Sequence, residues 1–308
     1  MIINQILKIV NKKFIFLYYF IYCKEKINML KCNIFIVEEK QLKNILFIGS
    51  GNMASAIANG LSKSKLINDE NIFLYDKNPS QYLKFPNTFS IVNSVLEGIE
   101  KADYIFLSVK PQNIKDVLSE ITTDISNKVF ISICAGITME SIEAQLENVM
   151  LVRAMPNTPL LIGQGVTAVC KNRNVSLEDF EFIKSIFASC GIVTEIDEKD
   201  INALTAITSS SPAYIYSFIK AMYNGAISLG FNYKNTIELI CKTFIGAANL
   251  VLSNNEKTLD EQIAMVKSPN GTTEKALNVF EDRNIENIII DAMDACKKRA
   301  EELSKLNN

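Results

Sequence analysis

The chain has 308 residues, 48% of them hydrophobic, and a formal net charge of −2 with Lys and Arg scattered along it. That length suits two domains with a sizeable core, and the even charge leaves no basic footprint for nucleic acid. Histidine is absent, which excludes a Ser-His-Asp triad, a His-ligated metal centre and imidazole acid–base catalysis. An enzyme built from this chain needs chemistry that a cofactor largely supplies, and hydride transfer qualifies.

Residues 1–40 differ from the rest. Lys12-Lys13 precede an apolar run from Phe14 to Cys23, closed by Lys24-Glu25-Lys26. The run is too short to span a bilayer, and no Ala-x-Ala-like site follows it as a secretory signal requires. It is expected to be an unprocessed extension or an upstream start rather than a membrane anchor. The seven Cys (23, 32, 134, 170, 190, 241 and 296) are widely spaced and form no Cys-x-x-Cys. They fit reduced thiols in a cytoplasmic protein better than a disulfide framework or a zinc site.

The apolar run Ile45–Ile48 leads into Gly49-Ser50-Gly51-Asn52-Met53-Ala54 and then a helix-like pattern. In a strand-turn-helix unit the first Gly makes the turn and the second lets backbone approach a pyrophosphate. The small third residue allows close helix packing, and the amides of the first helical turn attract phosphate. Further strands are expected at Ile72–Tyr75, Phe89–Val92, Tyr104–Val109, Val129–Ile133, Met150–Arg153 and Val166–Cys170. Helices are expected near 53–64, 93–100, 112–120, 138–146 and 177–188. This alternation predicts a mostly parallel sheet covered on both faces. Beyond Asp200 helical spacing takes over at 212–229, 234–252, 272–281 and 285–305, which predicts an all-helical second half.

Ligands of an open parallel sheet bind beyond the carboxyl ends of its strands. After the second strand, Asp76 suits the two ribose hydroxyls of NAD, whereas Lys77 and Asn78 suit a 2′-phosphate; Asn78-Pro79 equally fits an ordinary turn. After the fourth, Lys110 precedes Pro111 at a helix start and faces either the crevice or solvent. After the fifth, the small residues of Cys134-Ala135-Gly136 allow a flat ring to approach, with Cys134 read as packing rather than nucleophile. In the helical half, Thr208–Tyr214 reads as a hydroxyl-rich loop with Ser211 as N-cap and Pro212 first in the helix. Ser268-Pro269-Asn270-Gly271-Thr272-Thr273 again delivers hydroxyls to a helix start. Each start either holds a carboxylate or simply caps its helix.

In this order, Gly49–Ala54, Val109-Lys110-Pro111-Gln112, Ala135-Gly136-Ile137-Thr138, Arg153-Ala154-Met155-Pro156-Asn157-Thr158-Pro159, Asn202-Ala203-Leu204-Thr205, Ser210 with Pro212-Ala213-Tyr214, and Ser268-Pro269 with Gly271-Thr272-Thr273 resemble the pyrroline-5-carboxylate reductases. The resemblance runs from about Asn44 to the C-terminus. It implies an α/β Rossmann-like N-terminal domain (41–197), a helical substrate-binding and dimerisation domain (198–308), and an extension (1–40) outside the match. The implied reaction is reduction of L-1-pyrroline-5-carboxylate to L-proline with NADPH or NADH, the last step of proline synthesis. It uses no metal, nucleic acid or membrane, in a dimer or ring of dimers.

By position the resemblance carries cofactor contacts to Ile48, Gly49, Ser50, Gly51, Asn52, Met53, Lys77, Asn93, Ser108, Val109, Lys110, Pro111, Ile133, Cys134 and Ala135. Substrate contacts fall on Glu198, Ser268, Gly271, Thr272 and Thr273, and from the chemistry of imine reduction the Thr273 hydroxyl is expected to hydrogen-bond the ring nitrogen as the catalytic group. Ser209 and Ser211 replace glycines of the family's Ser-Gly-Ser-Gly-Pro-Ala-Tyr, so any positive-φ backbone there is expected to be strained. Asn270 replaces another glycine with a residue that tolerates left-handed geometry. Asn202 stands where Asp is usual.

Overall fold

A computed structural model describes residues 43–307 apart from Asn255; the extension expected at 1–40 lies outside the described residues. Fully buried, largely β-branched and aromatic runs make the central strands: β1 (Ile45–Ile48), β4 (Tyr104–Leu107) and β5 (Val129–Ser132). With β2 (Ile72–Tyr75), β3 (Ser90–Ile91), β6 (Met150–Pro156), β7 (Gly165–Lys171) and β8 (Gly191–Glu195) they form one eight-stranded sheet in the order β3-β2-β1-β4-β5-β6-β7-β8. All neighbours are parallel except β6 and β7. The order reverses between β1 and β4, which opens a crevice above the carboxyl ends of those two strands.

The register aligns the strand ends. Tyr75, Ile48, Leu107, Ser132 and Arg153 lie side by side across β2, β1, β4, β5 and β6, and Cys170 of β7 continues the row. Alternate side chains feed two apolar layers, as sheet periodicity requires. Phe47, Phe106, Ile131 and Val152 pack toward α1 (Asn52–Ser64) and the later helix Leu177–Ala188, with Phe47 and Phe106 stacked at 4.6 Å. Ile48, Ile105 and Leu107 alternate onto or beside the other layer, under α2 (Val95–Lys101), α3 (Ile114–Ser119) and α4 (Met139–Glu143). Leu177–Ala188 is α5, capped by Ser176.

Differences from expectation have local causes. The strand expected at Phe89–Val92 shrinks to two residues, and β4 stops at Leu107 because Ser108 turns toward the glycine loop. β6 continues to Pro156 because its last residues pair with β7, Pro156 opposite Thr167. β8 is an additional, half-exposed strand.

The helical half holds α6 (Ile201–Leu204), α7 (Ser211–Ser228), α8 (Thr236–Ser253), α9 (Leu259–Val266), α10 (Thr272–Asp282) and α11 (Ile285–Asn307). α9 is additional to the expected helices and starts with a capping box between Thr258 and Glu261. The expected hydroxyl-rich loop at 208–214 is instead helical. A π-helical segment, Thr205–Ser209, joins α6 to α7, and Ser210 rather than Ser211 is the N-cap. The hydroxyls of Thr205, Thr208 and Ser211 donate back to carbonyls four residues earlier, so the helix itself consumes them. Neither Ser209 nor Ser211 has positive φ, so the expected strain is absent.

Candidate active site

The crevice is built around Gly49. Its φ of +95° is open to glycine, and an added Cβ would fall 2.7 Å from the Ser108 carbonyl carbon. The Ser108 hydroxyl donates to the Gly49 carbonyl at 2.7 Å and lies 2.9 Å from that of Ile48. The Ser50 N–H donates to Asp76 Oδ2 at 2.7 Å, while Asp76 Oδ1 accepts from the Asn78 N–H at 2.8 Å. Asp76 therefore shapes the loop and the turn after β2 with both carboxylate oxygens.

The start of α1 is bare. Gly51 is its N-cap, no side chain caps it, and its first turn carries no acid. A Cβ on Gly51 would meet nothing within 4 Å, and the buried Ser50 Oγ has no partner. Unpaired amides, the positive end of the helix dipole and open space above Gly51 fit a dinucleotide pyrophosphate. Asn52 is exposed and accepts from Lys84 Nζ at 2.9 Å; Met53 is half-buried against the core.

Flanking residues have distinct surroundings. Lys77 pairs with Glu120 at 3.1 Å with both side chains largely in water, so little holds its ammonium in place. Asn78 accepts from the Ser80 N–H and caps a short 3-10 turn, the ordinary-turn alternative. Asn93 donates its backbone and side-chain N–H groups to Glu97 ahead of α2. Lys110 is exposed before Pro111, which begins a 3-10 turn, with Val109 half-buried beneath. At the end of β5 the Ile133 N–H bonds the Leu107 carbonyl, and Ala135 is exposed. Cys134 is buried, donates to the Leu107 and Val109 carbonyls, and burial pushes its thiol up to about 12. A thiol so held is packing.

Glu198 lies beside this crevice. Its Oε1 accepts from Arg153 Nη1 at 2.8 Å and from the Met139 N–H at 2.7 Å, joining β6, the start of α4 and the segment after β8. Arg153 was not among the expected site residues. The signal that marks it is a lone cation in the otherwise apolar strand Met150–Pro156.

Ser268–Thr273 form a separate group. The Gly271 N–H closes a turn on the Ser268 carbonyl, and a Cβ on Gly271 would fall 2.9 Å from that oxygen. Asn270 has a φ of 59°, the left-handed geometry expected of it, and its N–H donates to Glu274. α10 then begins at Thr272 with no side-chain cap. Ser268 and Thr272 are exposed and Thr273 is half-buried, and among the described residues the hydrogen bonds of 268–274 are all local. One chain thus brings the glycine loop, the end of β4 and Glu198 to the same side of the sheet, while among the described residues the hydrogen bonds of 268–274 stay within their own turn.

The sequence agrees with known proteins over nearly all of this frame. The chain is 34% identical over 271 residues to the pyrroline-5-carboxylate reductase of Corynebacterium melassecola, covering 86% of this chain and 100% of that protein. It belongs to the pyrroline-5-carboxylate reductase family. Residues 198–303 match the family described as pyrroline-5-carboxylate reductase dimerisation, and residues 44–136 that described as coenzyme F420-dependent NADP oxidoreductase. The Escherichia coli pyrroline-5-carboxylate reductase is 35% identical, with 85% of this chain and 99% of that protein covered. The crystal structure of the Plasmodium falciparum pyrroline carboxylate reductase with NADP bound superposes with a TM-score of 0.79 at 30% identity, over 85% of this chain and 98% of that one. Membership makes this chain an oxidoreductase.

Proposed function

We propose that the protein reduces L-1-pyrroline-5-carboxylate to L-proline with NADPH, accepting NADH as a second donor, as the last step of proline biosynthesis. The observation that carries the proposal is the start of α10, where two threonine hydroxyls and uncapped amides follow a turn that needs Gly271. Such a start suits a small carboxylate.

A nicotinamide held in this crevice would supply the hydride for C5 of the cyclic imine. The chain's own residues bind and orient. Gly49, Ser50 and Gly51 with the first amides of α1 would hold the pyrophosphate; Ser108 fixes the loop; Val109 to Pro111 and Ile133 to Ala135 would border the ring. Lys77, loosely held, serves a 2′-phosphate, and Asp76 is already engaged by backbone N–H groups; both favour NADPH. Ser268, Gly271 and Thr272 hold the substrate carboxylate. The Thr273 hydroxyl hydrogen-bonds the ring nitrogen and relays its proton, while Glu198 faces the same cation. A protonated C=N is the better hydride acceptor, so this placement is most of the work.

A second copy of the chain completes the pocket. α8 is apolar and long enough to cross a bilayer, with a mean hydropathy of 1.4 and 6% of it buried. It lies inside the segment matching the dimerisation family, so a second copy, with dimers joining into rings, is the cover we assign rather than lipid. The unpaired thiols of Cys134, Cys170, Cys190, Cys241 and Cys296 support a cytoplasmic setting. Oxidation of NADPH and NADH by the purified chain, with pyrroline-5-carboxylate beside other imines and 2-oxo acids, tests the assignment. A scaffold protein would bind NADPH without turnover.

A further inference from the structure

Arg153 has no role in the scheme so far, yet its position is costly. Its side chain is 3% exposed, and among the described residues only Nη1 of its three nitrogens has a partner, Glu198 Oε1. Nε and Nη2 are buried without hydrogen bonds. An arginine stays charged at any working pH, so the interior must supply an anion. A strand built for stability alone would carry an apolar residue here, as do the neighbouring Val152 and Ala154.

Its place in the sheet says what it is for. Arg153 is the last of the parallel strand ends in the row through Ile48, Leu107 and Ser132, before antiparallel β7, and from that row the candidate cofactor loops depart. From there it grips one oxygen of Glu198, and the Met139 N–H grips the same oxygen. Among the described residues Oε2 accepts no hydrogen bond, and the Glu198 side chain is 28% exposed. The carboxylate is thus pinned by one oxygen, and the other is left to a ligand.

We infer that Arg153 is a positioning residue: through Oε1 it holds the Glu198 carboxylate so that Oε2 meets the positively charged ring nitrogen of the imine substrate. The inference rests on the proposed reaction, since Glu198 has work there only if a protonated imine is bound. Arg153 touches neither substrate nor cofactor. It sets the direction of the group that does, and it links the floor of the cofactor crevice to the substrate side. A planar guanidinium donating to Oε1 beside the Met139 N–H is a stiffer anchor than a flexible ammonium.

A double-mutant cycle tests this with the full-length oligomer. Arg153→Lys and Arg153→Met are each made alone and with Glu198→Gln, and KM for pyrroline-5-carboxylate, kcat and NADPH affinity are measured. Arg153→Met is expected to raise KM for the imine roughly tenfold or more with NADPH affinity unchanged, and Arg153→Lys to recover part of the loss. Once Glu198 is Gln, either Arg153 change should add less than about twofold. Should Arg153→Met fail to fold, Arg153→Lys and Glu198→Gln alone still complete a cycle. If the effects of Arg153 and Glu198 multiply independently, or if the loss falls on NADPH binding or melting temperature alone, Arg153 is structural and the inference is overturned. A folded wild-type chain that makes no proline overturns the reaction itself, and this inference with it.

Discussion

The Ser108 hydroxyl donates to the carbonyl oxygen of Gly49 at 2.7 Å, tying the end of β4 to the first turn of the glycine loop. The two strands meet where the sheet order reverses, so this bond holds the two sides of the candidate crevice together.

Gly49→Ala should therefore damage both stability and cofactor binding. The methyl group would meet Ser108 backbone at 2.7 Å, in a conformation L-residues rarely adopt. A loss of about 1–3 kcal/mol in folding stability is expected, with NADPH affinity lowered by roughly tenfold or more. Ser108→Ala should cost about 1 kcal/mol and weaken NADPH less. Denaturant unfolding and fluorescence titration with NADPH check both.

Thr273→Ala should lower turnover by roughly tenfold or more while NADPH binding is retained. Thr273→Ser, which keeps the hydroxyl, should restore most of the rate. Steady-state kinetics beside the same titration decide it; an unimpaired alanine variant removes Thr273 from the chemistry.

Charge placed on α8 should break self-association. Leu250 and Leu252 are exposed in the single chain, Leu252 to 78%. Leu250→Glu should give a monomer by light scattering and take imine reduction with it, because Ser268–Thr273 are then uncovered. Leu177→Glu, an exposed change at the start of α5, should leave the oligomer intact.

Stability should fall above pH 9. Burial raises the Cys134 thiol to about 12 from its ordinary value of 9.0. The unfolded chain releases this proton first, so it binds fewer protons than the native state between those values. The contribution is complete below pH 9 and declines by about 1.4 kcal/mol per pH unit until the native thiol ionises near 12. Cys134→Ala should flatten that slope in urea melts from pH 9 to 11, and native Cys134 should resist alkylation at pH 8.

The sheet was largely legible in sequence because central parallel strands are continuous apolar runs, as Ile45–Ile48 and Tyr104–Leu107 show. β8 escaped because Gly191–Glu195 is an edge strand that is half exposed and carries no such run. The π segment escaped because Thr208 and Ser209 have the composition of a loop, and the main-chain bond from the Ser210 N–H to the Thr205 carbonyl leaves no side-chain pattern to read. At the site, the glycine loop announced itself by spacing, and the Ser268–Thr273 start by its turn residues. Arg153 did not, because sequence shows a cation in an apolar strand without showing the carboxylate, forty-five positions away, that answers it. The role of Asp76 was hidden in the same way: its partner is the backbone of Ser50, which no side-chain pattern reports.

The most direct test follows the hydride. NADPH carrying deuterium on the transferred position of nicotinamide C4 is oxidised by the purified full-length chain with L-1-pyrroline-5-carboxylate, and the product is examined by NMR and mass spectrometry. The account predicts L-proline with one deuterium at C5, formed in step with NADPH loss. Folded, NADPH-bound protein that yields no proline, or proline without the label, contradicts it.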